Sequence, residues 1–128
     1  MSTPTQRLAE LGLTLPPVAK PLAAYTPAIT VGNQVWVSGQ LPLRDGKLVA
    51  TGRLGDAVEP AEGAEAAKVA ALNALAAVAD QAGGLDNVAR ILKAVVFVAS
   101  TTDFTAQPQV ANGASELLGE VFGTPHVR

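Results

Sequence analysis

AEGAEAAKVAALNALAAVADQAGGLDNVARILKAVVFV, residues 61–98, holds the two patterns that decide the fold. Residues 61–82 carry apolar side chains at helical spacing. Val69, Leu72, Ala76 and Ala79 follow an i, i+3, i+7 rhythm, and Leu75 and Val78 widen the stripe. Pro60 suits a first turn, and Glu62 and Glu65 lie near the positive end of the helix dipole. Gly83-Gly84 can end the helix in a left-handed cap. Asp86 can cap a short turn at 87–90. Ile91-Leu92-Lys93-Ala94-Val95-Val96-Phe97-Val98 follows as a nearly unbroken apolar run. Such a run predicts a central strand covered on both faces. A long helix feeding a buried strand is a helix laid over a sheet.

Upstream, residues 28–38 predict a β-hairpin. Ile29-Thr30-Val31 and Val35-Trp36-Val37-Ser38 are rich in β-branched and aromatic residues, and Gly32-Asn33 between them is a turn signal. Strand character ends in Ser38-Gly39-Gln40-Leu41-Pro42. Arg44-Asp45-Gly46-Lys47 predicts a second tight turn, with a short strand at Leu48-Val49. Residues 3–12 predict a short helix with Thr3 as cap, Pro4 in the first turn, Gly12 at the end, and Leu8 and Leu11 on one face. Pro16, Pro17, Pro21 and Pro27 predict a stiff, extended segment lying on the domain. Downstream, Asp103 can cap the chain's return. Residues 108–122 predict a second helix with Val110, Leu117, Leu118, Val121 and Phe122 as contacts, weakened by Gly113 and Gly119. The order is strand, strand, helix, strand, helix, after a helical preface. It implies an α+β or α/β layer with helices on one side of a mixed sheet.

A chain of 128 residues, 48% hydrophobic and 16% charged, fits one domain with a real core. Aromatics are only 4%, so the core is thin and gains burial from a partner subunit. Net charge is −2 and no Lys/Arg cluster occurs, which argues against nucleic acid as the main partner. There is no cysteine, which excludes disulfides and thiolate nucleophiles. His126 is the single histidine, so one chain cannot build a multi-histidine metal site. No GxGxxG or GxxxxGK[ST] string occurs, so no nucleotide cradle is expected. No cofactor, metal or membrane partner is expected. No signal peptide is visible at the N-terminus, and cytoplasmic location is the expectation.

Three segments, in order, carry a resemblance. The first is Tyr25 in LAAYTPA with the hairpin and SGQLP at 38–42. The second is the alanine-rich helix running into AGGLDNVARILKAVVFV. The third runs from DFTAQPQVANGASELLGEVFG to PHVR. Together they span about four-fifths of the chain, and the set resembles the RidA family (reactive intermediate/imine deaminase A, YjgF-like). The preface RLAELGLTLPPVAKPL is similar to that of a longer bacterial subgroup.

The resemblance implies a single domain over residues 1–128 with a chorismate-mutase-like α+β fold: a mixed sheet, two main helices on one face, and homotrimeric assembly. It also implies ligand clefts between subunits. There, reactive enamine/imine intermediates such as 2-aminoacrylate would become 2-keto acids and ammonia. Carried over residue by residue, it assigns catalytic roles to Arg128 and Tyr25 and substrate binding to Ser38, Gly39, Asn112 and Arg128, with Arg128 gripping the carboxylate. Family chains continue into two further strands, the last often bearing an acid. The expectation is that the protein continues past Arg128 by on the order of 15–25 residues. The alternatives are a trimeric module that binds small carboxylates without turnover, and an endoribonuclease, which has family precedent.

The side chains suit those roles. A guanidinium pairs bidentately with a carboxylate and stays charged, which fits Arg128. Tyr25 either walls a pocket with its hydroxyl or packs beneath the proline-rich segment. Ser38 and Gly39 end a strand, where N–H groups can meet an oxyanion, or they form a simple turn. Asn112 contacts ligand or caps the second helix. A triad of Ser38, His126 and an acid is disfavoured by the spacing. Asp80, Asp86 and Asp103 read as caps and solvated faces rather than a metal site.

Overall fold

A computed structural model describes residues 2–18 and 24–123. Helix α1 spans Pro4–Glu10. Strands β1 (Ala28–Val31) and β2 (Gln34–Val37) form one antiparallel hairpin, and β3 (Leu43–Arg44) and β4 (Lys47–Leu48) form a second. Helix α2 runs Pro60–Ala82, a 3-10 turn covers Leu85–Asn87, and α3 runs Gln107–Phe122.

The turns follow their sequences. Gly32 takes φ +58 between β1 and β2, which puts Ile29 opposite Trp36. Asp45 and Gly46 both take positive φ, as the twist of a two-residue hairpin loop demands. Helix α2 begins after Glu59, whose backbone N–H is met by the Glu62 carboxylate, and it ends on Gly83 at φ +76. Thr3 and Gln6 form a reciprocal cap on α1, as expected for a Thr-Pro start.

The core lies between α2 and α3. Leu72, Leu75, Leu117, Leu118 and Val121 are buried there with Leu8 of α1 and Leu85. The two helices approach closely at Gly113, where a Cβ would overlap the Ala64 carbonyl of α2. The glycine expected to weaken α3 is thus the residue that lets it pack. A smaller cluster of Leu54, Val58 and Val110 closes the far end. Leu54 pairs with the chain beyond the apolar run, through Leu54 N–H to the Ala99 carbonyl at 2.9 Å and Thr101 N–H to the Leu54 carbonyl at 3.0 Å.

Three expectations are corrected. Residues 91–98 are extended but are not a central strand: they form no backbone ladder with another described segment. They are covered on one face only. Ile91, Ala94 and Val96 pack on the α2–α3 core, while Leu92, Val95 and Phe97 face outward and Phe97 is 93% exposed. The continuous apolar pattern conceals this because both faces are apolar. The single mixed sheet is, among the described residues, two small antiparallel hairpins with parallel bridges at Leu54. Finally, Asp86 does not serve a turn at 87–90; it accepts the Thr5 N–H in the first turn of α1 at 2.8 Å. Among the described residues no helix is long and apolar enough to cross a membrane.

Candidate functional site

Strand β2 ends at Val37, and the chain leaves it through Ser38 and Gly39. Ser38 is fixed twice. Its N–H donates to the Pro27 carbonyl at 2.9 Å, and its hydroxyl donates to the Thr26 carbonyl. The hydroxyl is therefore a strut that holds the Tyr25–Pro27 stretch beside the end of β2. It is engaged as a donor and is not poised as a nucleophile.

Beside this strut lies a shallow depression of about 210 Å³, lined by Thr26, Ala28, Ile29, Trp36, Val37 and Ser38. None of the six titrates. Tyr25, next in the chain to Thr26, is exposed; the proline-rich stretch at 19–23 lies outside the described residues. Gly39 is exposed, a Cβ there would meet nothing within 4 Å, and its N–H has no acceptor among the described residues. An open backbone donor in this position can meet an oxyanion or a carboxylate.

Sequence reasoning missed Asn73. It is buried on α2 with 3% exposure, and its Nδ2 donates to the carbonyls of Leu41 at 3.1 Å and Leu43 at 2.9 Å. The signal was present, since an asparagine interrupting the apolar stripe of a helix has poor propensity and needs a reason to be there.

Asn112 is half-buried, six residues beyond the Ala106 N-cap of α3, so it is not the helix cap. Helix α2 touches both the β1–β2 hairpin and α3, whereas α3 approaches neither β1 nor β2. Asn112 therefore sits on a helix that does not contact the β1–β2 hairpin. Arg128 and His126 lie outside the described residues.

Charge is sparse near the depression. Arg44 and Glu65 form an exposed ion pair at 3.4 Å. Asp86 is held below the usual carboxylate range by the Thr5 hydroxyl and N–H, and Asp103 by the Thr101 hydroxyl. Asp86 is tied to the start of α1 and Asp103 to its own turn, and no group of three or more metal-ligating side chains occurs among the described residues.

Comparison with known proteins agrees with this architecture. A solved structure from Shewanella oneidensis MR-1, called a "putative endoribonuclease", superposes with a TM-score of 0.85 at 37% identity, covering 95% of this chain and 81% of its own. A protein of unknown function from Agrobacterium tumefaciens gives 0.84 at 42% identity, over 96% of this chain and 74% of its own. Protein TCP17 of Trypanosoma cruzi is 43% identical over 116 residues, 91% of this chain and 72% of its length. Residues 5–128 match the family described as "YjgF/chorismate mutase-like, putative endoribonuclease". The chain therefore belongs to the YjgF/chorismate mutase-like family, in line with its RidA-like motifs.

Proposed function

We propose that this protein hydrolyses reactive 2-imino acids to 2-keto acids and ammonia in clefts between the subunits of a homotrimer. The observation that supports the reading is the end of β2, where Thr26 and Pro27 hold Ser38 and the Gly39 N–H has no acceptor among the described residues. In this reading a second copy completes the cleft by contributing Asn112. The hairpin's outward face, with Ile29, Val31 and Trp36 all exposed, offers an apolar surface for that copy, as do Val95 and Phe97.

The chemistry asks little of the protein. Water adds to the C=N carbon, a proton reaches nitrogen, and ammonia leaves as the carbonyl forms. Orientation and a few donors suffice for a reaction that is already fairly fast in water. Arg128 takes the carboxylate by its chemistry, the Gly39 N–H meets developing charge, and Tyr25 orients the water. A coupled assay in which an amino-acid oxidase generates the imine tests this; imine decay unchanged by the protein rejects it.

A second reading, a trimeric module that binds small carboxylates without turnover, is favoured by the six lining residues, none of which is an acid or base. Calorimetry with pyruvate or 2-ketobutyrate, combined with an inactive imine assay, would select it. The endoribonuclease reading draws on the Shewanella relative's name. Against it stands a net charge of −2. Salt-sensitive RNA binding with cleavage would restore it.

A further inference from the structure

We propose that Asn73 is a positioning residue of this site: its side-chain amide sets the course of residues 38–43 and thereby the direction of the Gly39 N–H. This rests on the reading of Gly39 as a donor to ligand. A buried amide costs free energy unless its hydrogen bonds are met, and an apolar residue would serve α2 and its packing better. Asn73 meets that cost by donating both Nδ2 protons to alternate carbonyls, Leu41 and Leu43, of one loop. Upstream, Ser38 is anchored to Pro27 and Thr26. Gly39 and Gln40 therefore span two fixed points, and Asn73 supplies the second. Between fixed ends the peptide plane of Gly39 has little freedom, although nothing packs on it. Glycine without such a span would sample many orientations.

The test uses full-length Asn73→Leu and Asn73→Asp proteins. A carboxylate at this position cannot donate, and two carbonyls face it. Exchange of the Leu43 and Val49 amides, which donate to the Leu41 and Pro42 carbonyls of this loop, is expected to rise about tenfold at neutral pH, while α3 keeps its protection. kcat for imine hydrolysis should fall about 10- to 100-fold with KM nearly unchanged, because a misplaced donor acts on the transition state. Asn73→Asp should regain activity as pH falls, since a protonated carboxyl donates once more; Asn73→Leu should not. Unchanged loop exchange, or equal loosening of α3, overturns the proposal. If neither variant folds, the wild-type side-chain amide decides: slow exchange of the Asn73 NH2 protons supports the clamp, and fast exchange overturns it. Faster loop exchange in the variants of a protein with no imine turnover keeps the clamp and rejects the deaminase reading.

Discussion

Asp86 and Thr5 are 81 positions apart in the chain, yet the Asp86 carboxylate accepts the Thr5 backbone N–H at 2.8 Å. Pro4 has no N–H to satisfy, and Thr3 takes the N–H of Gln6. Asp86 thus completes the first turn of α1 from outside the helix and docks the preface on the domain.

The pH dependence of that docking follows from the sign of the shift. Hydrogen bonds from Thr5 depress the Asp86 pKa below its usual 3.8. The contribution is full above the usual carboxylate range and is lost as pH falls through the lower folded value. Protection of the α1 amides should be flat from neutral pH down to about 4 and fall below it. Asp86→Ala should remove protection at neutral pH, and Asp86→Asn, which keeps an acceptor, should abolish the pH step. A profile shared by wild type and Asp86→Asn would remove Asp86 from the account.

Gly113→Ala should destabilise the fold. The new methyl would meet the Ala64 carbonyl, which is backbone and cannot step aside. Overpacking of this kind costs about 1–3 kcal/mol, read as a lower urea midpoint at constant slope. Gly39→Ala, where nothing lies within 4 Å, serves as the neutral control.

Trp36 is the one tryptophan and is 63% exposed in a single chain. If copies associate through this face, its emission should shift to the blue as concentration rises. Trp36→Asp combined with Phe97→Asp should sediment as a folded monomer and lose imine hydrolysis. A double variant that keeps the wild-type mass would mean that the interface lies elsewhere.

Ser38→Ala should loosen the Tyr25 stretch without removing a reacting group. Loss of one hydrogen bond is worth about 0.5–1.5 kcal/mol, so KM for the imine should rise by up to about tenfold. Tyr25→Phe keeps the ring and loses the hydroxyl. A fall in kcat with KM held would mark a water-orienting role, and the reverse would mark simple contact.

Much of the fold was readable from local signals. The capped helices and the Gly32-Asn33 and Asp45-Gly46 turns all fall where propensity and periodicity place them. The misread part was the apolar run at 91–98. Its alternation is hidden because Val95 and Phe97 on the outer side are as apolar as Ala94 and Val96 on the inner one. Apolar residues that await a partner look, in sequence, like residues already buried. At the site, Ser38 and Gly39 were found at the end of β2, but the donors and acceptors around them were not. Asn73 reaches that loop from 30 and 32 residues away, a pairing no local pattern encodes.

The 91–98 segment has a further consequence for the life of the molecule. Its main-chain amides and carbonyls have no ladder partner among the described residues, and hydrophobic groups flank them. Among the described residues this edge is therefore open to pairing, and a further strand, from this protein or from a second copy, would find both backbone partners and an apolar face there.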